Sequence, residues 1–203
     1  MKKMIISSVA IMALLIGGVI SYSESNTTQN QKDYRVAMSQ ANFKVFKDLN
    51  ELEEFSGYIV QANFTGDRSL KEWNLGEGEI KTASKSKVTI QKVYKGSLEE
   101  GNEISVYEPA YFENDVFDTI EGYNLMSEDG TYMLFLRDTD DKEGYAIIGM
   151  YQGKYDIGAD KQKIKAKQAM PDDTYRTLED REYFGDNIDQ FNNLKEEVLR
   201  KYK

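Results

Sequence analysis

The chain has no cysteine and no histidine among its 203 residues, and only two prolines. Without a thiol or an imidazole there is no thiolate nucleophile, no imidazole base, no structural zinc site of the usual kind and no disulfide framework. Positive charge is also scarce: 26 Lys and Arg face 35 Asp and Glu, for a formal net charge of −9. That balance opposes a nucleic-acid partner, because phosphate binding rests on clustered cations. What the chain does hold is rings. It has 14 Tyr, nine Phe and one Trp, too aromatic a composition for a disordered polypeptide.

Met1-Lys2-Lys3 precedes an uncharged, mostly apolar run at residues 4–20, and polar Ser21-Tyr22-Ser23-Glu24 follows it. A cationic start, an apolar middle and small residues at the exit are the parts of an export signal, here cut after Ser23. The run is also at the short limit for a helix that spans a bilayer. The alternative is therefore an uncleaved membrane anchor, with Lys2 and Lys3 held on the inner side. A thioether-linked lipid anchor needs a cysteine and is excluded. Removal of residues 1–23 leaves a net charge of −11 on a length suited to one domain. Residues 24–33 (ESNTTQNQKD) read as a polar linker, residues 34–160 as the folded domain and residues 161–203 as a helical extension.

Asp48 caps a short helix, with Glu51 as its reciprocal partner, Leu49, Leu52 and Phe55 on one face, and Gly57 as a left-handed terminator. Residues 58–65 are strand-like by their β-branched and aromatic content. Residues 66–84, with three glycines and several charges, read as a long loop. In the strand at residues 86–94, Val88 and Ile90 share a face and Val93 falls out of phase, which predicts a β-bulge near Gln91-Lys92. A hairpin connection leads to a returning strand at residues 103–108, ended by Pro109. Residues 110–128 are irregular and aromatic. Residues 131–136 are apolar on both faces, the mark of a central strand. Residues 145–151 return after a turn at 138–144, and residues 155–157 make a last short strand. Residues 161–184 suggest a partial strand and then one or two helical turns. From Asp186 onward, Ile188, Phe191, Leu194, Val198 and Tyr202 recur at spacings of three and four, predicting an amphipathic C-terminal helix.

Five main strands, short hairpins and a bulge predict a mainly β fold: a small five-stranded OB-like barrel with a short N-terminal helix and a C-terminal amphipathic helix. The run of helix, Tyr58-Ile59-Val60-Gln61, Val88-Thr89-Ile90, Lys92-Val93-Tyr94-Lys95-Gly96, Gly101-Asn102-Glu103-Ile104 and Gly130-Thr131-Tyr132-Met133 resembles a group of bacterial exported proteins. Their barrel looks like that of the tissue inhibitors of metalloproteinases. The resemblance covers roughly residues 45–157. Those inhibitors chelate the protease zinc through an N-terminal cysteine, and this chain has none, so no inhibitory residue carries over.

The candidate contact surface is the aromatic set Tyr107, Tyr111, Phe112, Phe117 and Tyr123. These rings either plug one barrel end or, if exposed, form an apolar patch for a protein or a stacking platform for a sugar. The acidic run Asp138-Thr139-Asp140-Asp141-Lys142-Glu143-Gly144 fails the calcium-loop pattern at its fifth and sixth positions and reads as a solvated hairpin tip. Gly76-Glu77-Gly78-Glu79 lacks the strand-to-helix setting of a phosphate loop. No cofactor or metal site is expected. The expectation is an exported or membrane-anchored, non-catalytic binding module at the bacterial cell surface. Its partner is a protein or cell-wall glycan, it contacts the membrane through residues 4–20 if they are uncleaved, and it binds no nucleic acid. The alternative is a carboxylate-dependent hydrolase acting on cell-wall glycan.

Overall fold

In the computed structural model, which describes residues 33–158, 168–171 and 173–203, the chain is mainly β, as its composition of β-branched and aromatic segments predicts. The export signal or anchor, most of the linker and the start of the 161–184 stretch lie outside the described residues. No helix among those described is long and apolar enough to cross a membrane. The elements are β1 (Arg35–Ser39), α1 (Leu49–Phe55), β2 (Tyr58–Gly76), β3 (Glu79–Lys95), β4 (Glu103–Glu108), β5 (Ala110–Glu113), β6 (Val116–Ile120), β7 (Tyr132–Asp138), β8 (Tyr145–Ile147), β9 (Lys154–Asp156), α2 (Tyr175–Leu178) and α3 (Ile188–Tyr202).

One sheet runs β2-β3-β4-β8-β7-β9, and β2 also pairs with β7, so five of its strands form a closed circuit of pairings. All neighbours in the circuit are antiparallel except β4 and β8, which are parallel. The central position of β7 explains its apolar run. Leu134 and Leu136 join one core cluster with Val60, Val88, Ile90 and Val106, whereas Met133 and Phe135 point the other way, into a second cluster under α1 and α3. The predicted bulge is present: Gln61 pairs with Lys92 and Ala62 with Ile90, so Gln91 is the extra residue. A second irregularity at Tyr94, between Ile59↔Lys95 and Val60↔Val93, follows it.

The helices are held by the residues expected, with local differences. Asp48 accepts the Glu51 N–H at 2.9 Å, but Glu51 reaches past the cap to the Lys47 N–H at 3.1 Å. Gly57 is no left-handed terminator. Ser56 ends α1 in an extended conformation, and the Gly57 N–H is committed to the sheet through the Leu136 carbonyl. Phe55 is 54% exposed, with the Lys44 ammonium 3.8 Å from its ring centre. On α3, Phe191, Leu194 and Val198 are buried as the spacing predicts, and Ile188 and Tyr202 pack at the margin of the same cluster. A single helical turn, α2, falls within the 161–184 stretch.

Three readings are corrected by pairings that are not local. Residues 66–84 are not a loop: β2 and β3 run on beyond the circuit as a two-stranded arm, with Arg68 opposite Ser86 and Trp73 opposite Lys81. The arm closes on Glu77 and Gly78, whose φ values of 52° and 85° make the tight turn whose twist matches that of antiparallel strands. Residues 110–128 are not wholly irregular, because β5 and β6 form a hairpin and β1 adds to it in parallel. The strand expected over residues 145–151 stops at Ile147. Gly149 and Met150 take positive φ and start a 3-10 turn, Met150–Gly153, that leads into β9.

Candidate functional site

The arm leans toward the turn that joins β7 to β8, and between them lies a cleft of about 540 Å³. Strand alternation builds its upper wall. Lys71, Trp73, Lys81 and Ala83 are cross-strand neighbours on one face of the arm, while Leu70 and Ile80, 46% and 59% exposed, lie on the other. The floor is apolar, from Pro109, Ile120, Ala146, Ile147 and Met150. Size and lining both suit a ligand or an anchoring side chain.

Two rings mark the cleft. Trp73 and Tyr107 meet edge to face, with centroids 4.9 Å apart and planes at 78°, the geometry favoured by the aromatic quadrupole. Asp141 ties both to the β7–β8 turn: its Oδ2 accepts from Trp73 Nε1 at 3.0 Å and from the Tyr107 hydroxyl at 3.1 Å. Its Oδ1 accepts from Thr139 Oγ1 at 2.7 Å and the Glu143 N–H at 3.0 Å. Glu143 in turn accepts from Lys71 at 2.8 Å and Lys85 at 3.2 Å. The acidic turn is therefore not a free solvated tip. Asp141 and Glu143 latch it to the arm, and two cations that line the cleft, Lys81 on the arm and Arg137 on β7, have no carboxylate partner among the described residues.

Hydrogen bonds to the ionised form hold the Asp141 carboxyl well below the usual carboxylate range, first from the Glu143 N–H and then from Thr139, Trp73 and Tyr107. Burial, with Asp141 beside it, pushes the Tyr107 phenol up to about 12. Because the folded carboxyl titrates lower than the unfolded one, the latch contributes fully above the ordinary carboxylate value of about 4 and is lost as pH falls through the lower folded value. Trp73 is the chain's one tryptophan, so its fluorescence reports the latch directly. Emission is expected to stay constant from neutral pH down to about pH 4 and to shift red below it. A shift between pH 5 and 7 would dissociate the ring from the Asp141 contact.

The five sequence-predicted rings do not form one surface. Tyr107 lines the cleft. Tyr111 and Phe112 are half-buried on β5, the second packed against Tyr34, Phe117 and Tyr175 at 4.6–4.8 Å between centroids. Phe117 and Tyr123 are 0% and 1% exposed. They are core: Phe112 and Tyr175 of α2 pack on Phe117, and Tyr123 pairs with Tyr183 and has the Lys154 ammonium against its ring. Tyr123 instead serves a buried polar cluster. Its hydroxyl donates to Glu108 Oε2 at 2.8 Å, beside the Met126 N–H at 2.8 Å, and Glu108 Oε1 accepts from Ser86 at 2.5 Å and Arg68 at 2.9 Å.

Sequence reading missed Trp73, Arg137 and Met150. The signal present for Trp73 was the alternation of Lys71, Trp73 and Leu75 before a Gly-Glu-Gly turn, with Lys81, Ala83 and Lys85 after it. Among the described residues no three carboxylates stand close enough to hold a metal ion. The chain matches no protein-family model, no curated protein and no solved structure.

Proposed function

We propose that the protein is an exported or membrane-anchored, non-catalytic binding module of the bacterial cell surface, and that it takes its partner, a protein or a cell-wall glycan, in the cleft under the arm. The observation that carries this reading is the Trp73–Tyr107 pair, two rings held over an apolar floor with Lys81 and Arg137, which have no carboxylate partner among the described residues, at the margin. Aromatic anchors in such settings dominate binding energy. The carboxylate-dependent hydrolase has less support. Of the three acids that line the cleft, Asp141 and Glu108 each accept from four donors, which leaves the exposed Asp140 alone where the reaction needs a pair.

We further read the five-strand circuit as an OB-like barrel of the kind seen in the tissue inhibitors of metalloproteinases. The order β2-β3-β4-β8-β7 returning to β2, with β4 and β8 parallel, supports that reading. OB barrels bind through the face of their second and third strands and the loops joining strands 1–2 and 4–5. In this chain those are β3, β4, the arm and residues 139–144, the elements around the cleft.

Trp73→Ala is expected to weaken partner capture by tenfold or more, the scale of losing an anchor worth about 2 kcal/mol, while the melting temperature falls only by the small amount that losing one edge-on ring contact and one hydrogen bond to Asp141 implies. The measurement is paired capture, with envelope proteins in one arm and purified cell-wall glycan in the other. Unchanged capture ends the cleft reading, and a parallel loss of stability assigns Trp73 to the fold. The intact mass of protein from its native host separates cleavage after Ser23 from retention of residues 4–20.

A further inference from the structure

β3 outlasts its neighbour in the sheet. β3 and β4 pair antiparallel from Thr89↔Glu103 to Ser84↔Glu108. The hairpin that joins them fixes which residues bond across the ladder. The Ile90 N–H donates to the Asn102 carbonyl at 2.9 Å, and the Ile90 carbonyl accepts from the Gly101 N–H at 2.8 Å. Backbone groups alternate sides along a strand, so the even-numbered residues of β3 turn theirs toward β4, down to Ser84. There β4 ends. Pro109 has no N–H to offer, its carbonyl accepts from the Ile120 N–H at 2.9 Å, and Ala110 is already paired with Thr119. Yet β3 runs on to Glu79. Thr82 and Ile80 therefore each point an N–H and a C=O at a place that no strand fills among the described residues.

That place borders the cleft. Lys81, Thr82 and Ala83 all line it, whereas a strand presenting one face would contribute every second residue. β5 crosses the opposite face, where Ser84 Oγ donates to the Ala110 carbonyl at 2.7 Å, and leaves this edge open. A glycan has few partners here. Tyr107 is 6% exposed, and its hydroxyl and Trp73 Nε1 are both committed to Asp141. The lining holds no Asn or Gln, and of its acids Asp141 and Glu108 each accept from four donors. The charged groups left over are Lys81 and Arg137, without a carboxylate partner among the described residues, and the exposed Asp140. Two cations against one acid favour an anionic group.

We infer, building on the cleft as the binding site, that the partner is a protein and enters as an extended segment in the place β4 vacates, antiparallel to β3 and bonded to the backbone of Thr82 and Ile80. This is strand addition to a sheet edge, with main-chain bonds giving affinity and side chains giving selectivity. Residues directly opposite each other in an antiparallel pair share a face, so the partner's residue opposite Lys81 is acidic. A bulky apolar residue two positions away shares that face and is set toward the apolar floor.

The probe is a displayed library of random short peptides, selected on the full-length protein with the Trp73→Ala variant as counter-selection. Enriched peptides are expected to carry Asp or Glu two positions from a bulky apolar residue. Their binding should slow hydrogen exchange at the Thr82 and Ile80 amides by about tenfold or more, read by NMR. N-methylation of the peptide should abolish binding at every second position and spare it at the positions between. Lys81→Ser, a change to an exposed side chain, should weaken an acidic peptide severalfold and leave its Asn or Gln counterpart unchanged. Failure to enrich any peptide, enrichment of peptides without the acid, or binding that leaves the two amides unprotected would each overturn the inference. Cell-wall glycan fragments that shift Trp73 emission without protecting Thr82 and Ile80 would end it while the cleft reading stands. The cleft reading itself falls on a different result, unchanged capture by Trp73→Ala.

Discussion

Glu108→Ala is expected to cost about 3–5 kcal/mol of folding stability, the range for removing one partner of a buried ion pair. Glu108 has no exposed surface, and four donors converge on it from β2, β3 and the segment after β6. Alanine leaves the Arg68 guanidinium without its counter-charge and strands the Tyr123 hydroxyl and the Met126 N–H, buried donors that lose their acceptor. Against a typical total of about 5–15 kcal/mol the loss is large. Urea unfolding measures it, and Glu108→Gln, which keeps an acceptor, should lose less. Removing both partners in Arg68→Met/Glu108→Ala should cost less than the sum of the single changes, with a coupling of up to about 3 kcal/mol. A single-variant loss under about 1 kcal/mol would mean that water replaces the carboxylate and that the cluster is not a structural centre.

The same change should also be felt in the cleft. Arg68 stands at the base of the arm, just past a register break in which Thr65, Gly66 and Asp67 face Lys87 alone. Gly66 takes φ +87°, open to glycine at little cost. The Arg68–Glu108 pair therefore sets where the arm starts, and the Asp141 latch sets where it comes to rest.

Phe191→Ala is expected to cost a similar amount, about 3–5 kcal/mol, by combining lost transfer energy with a cavity the surroundings cannot fill. Phe191 is 1% exposed and lies within a nest of rings: Tyr183 stacked at 5.1 Å, Tyr155 at 5.4 Å and Tyr151 at 6.5 Å. Rings are rigid, so the space left behind persists. Chemical denaturation of the variant gives the value directly, and a loss below about 1 kcal/mol would mean that α3 rests on the sheet without being part of its core. The backbone that brings Tyr183 to this nest approaches very closely. A Cβ on Gly122 would stand 2.2 Å from the Gly185 nitrogen, so neither glycine has room for a side chain.

Where one stretch of chain decides its own environment, the residues foretold the outcome. The phase slip at Val93 located the bulge at Gln91, five consecutive apolar residues located the central strand β7, and the spacing of Phe191, Leu194 and Val198 located the buried face of α3. Alternation and helical period are properties of neighbours in sequence, and they state which face is dry. The aromatic content of residues 107–123 was equally visible, but its division into cleft, margin and core was not.

That division depends on what covers each ring. Composition and local period alone determined that this is a mainly β chain without thiol or imidazole chemistry, built around one doubly apolar strand and closed by an amphipathic helix. Only the tertiary structure decided that residues 66–84 form an arm, that Trp73 meets Tyr107, and that Asp141 joins them across 68 and 34 positions. The reason is physical. A polar ribbon with both faces partly wet carries little hydrophobic pattern of its own, so its pairing and its resting place are settled by hydrogen bonds to distant residues, which leave no period in the sequence.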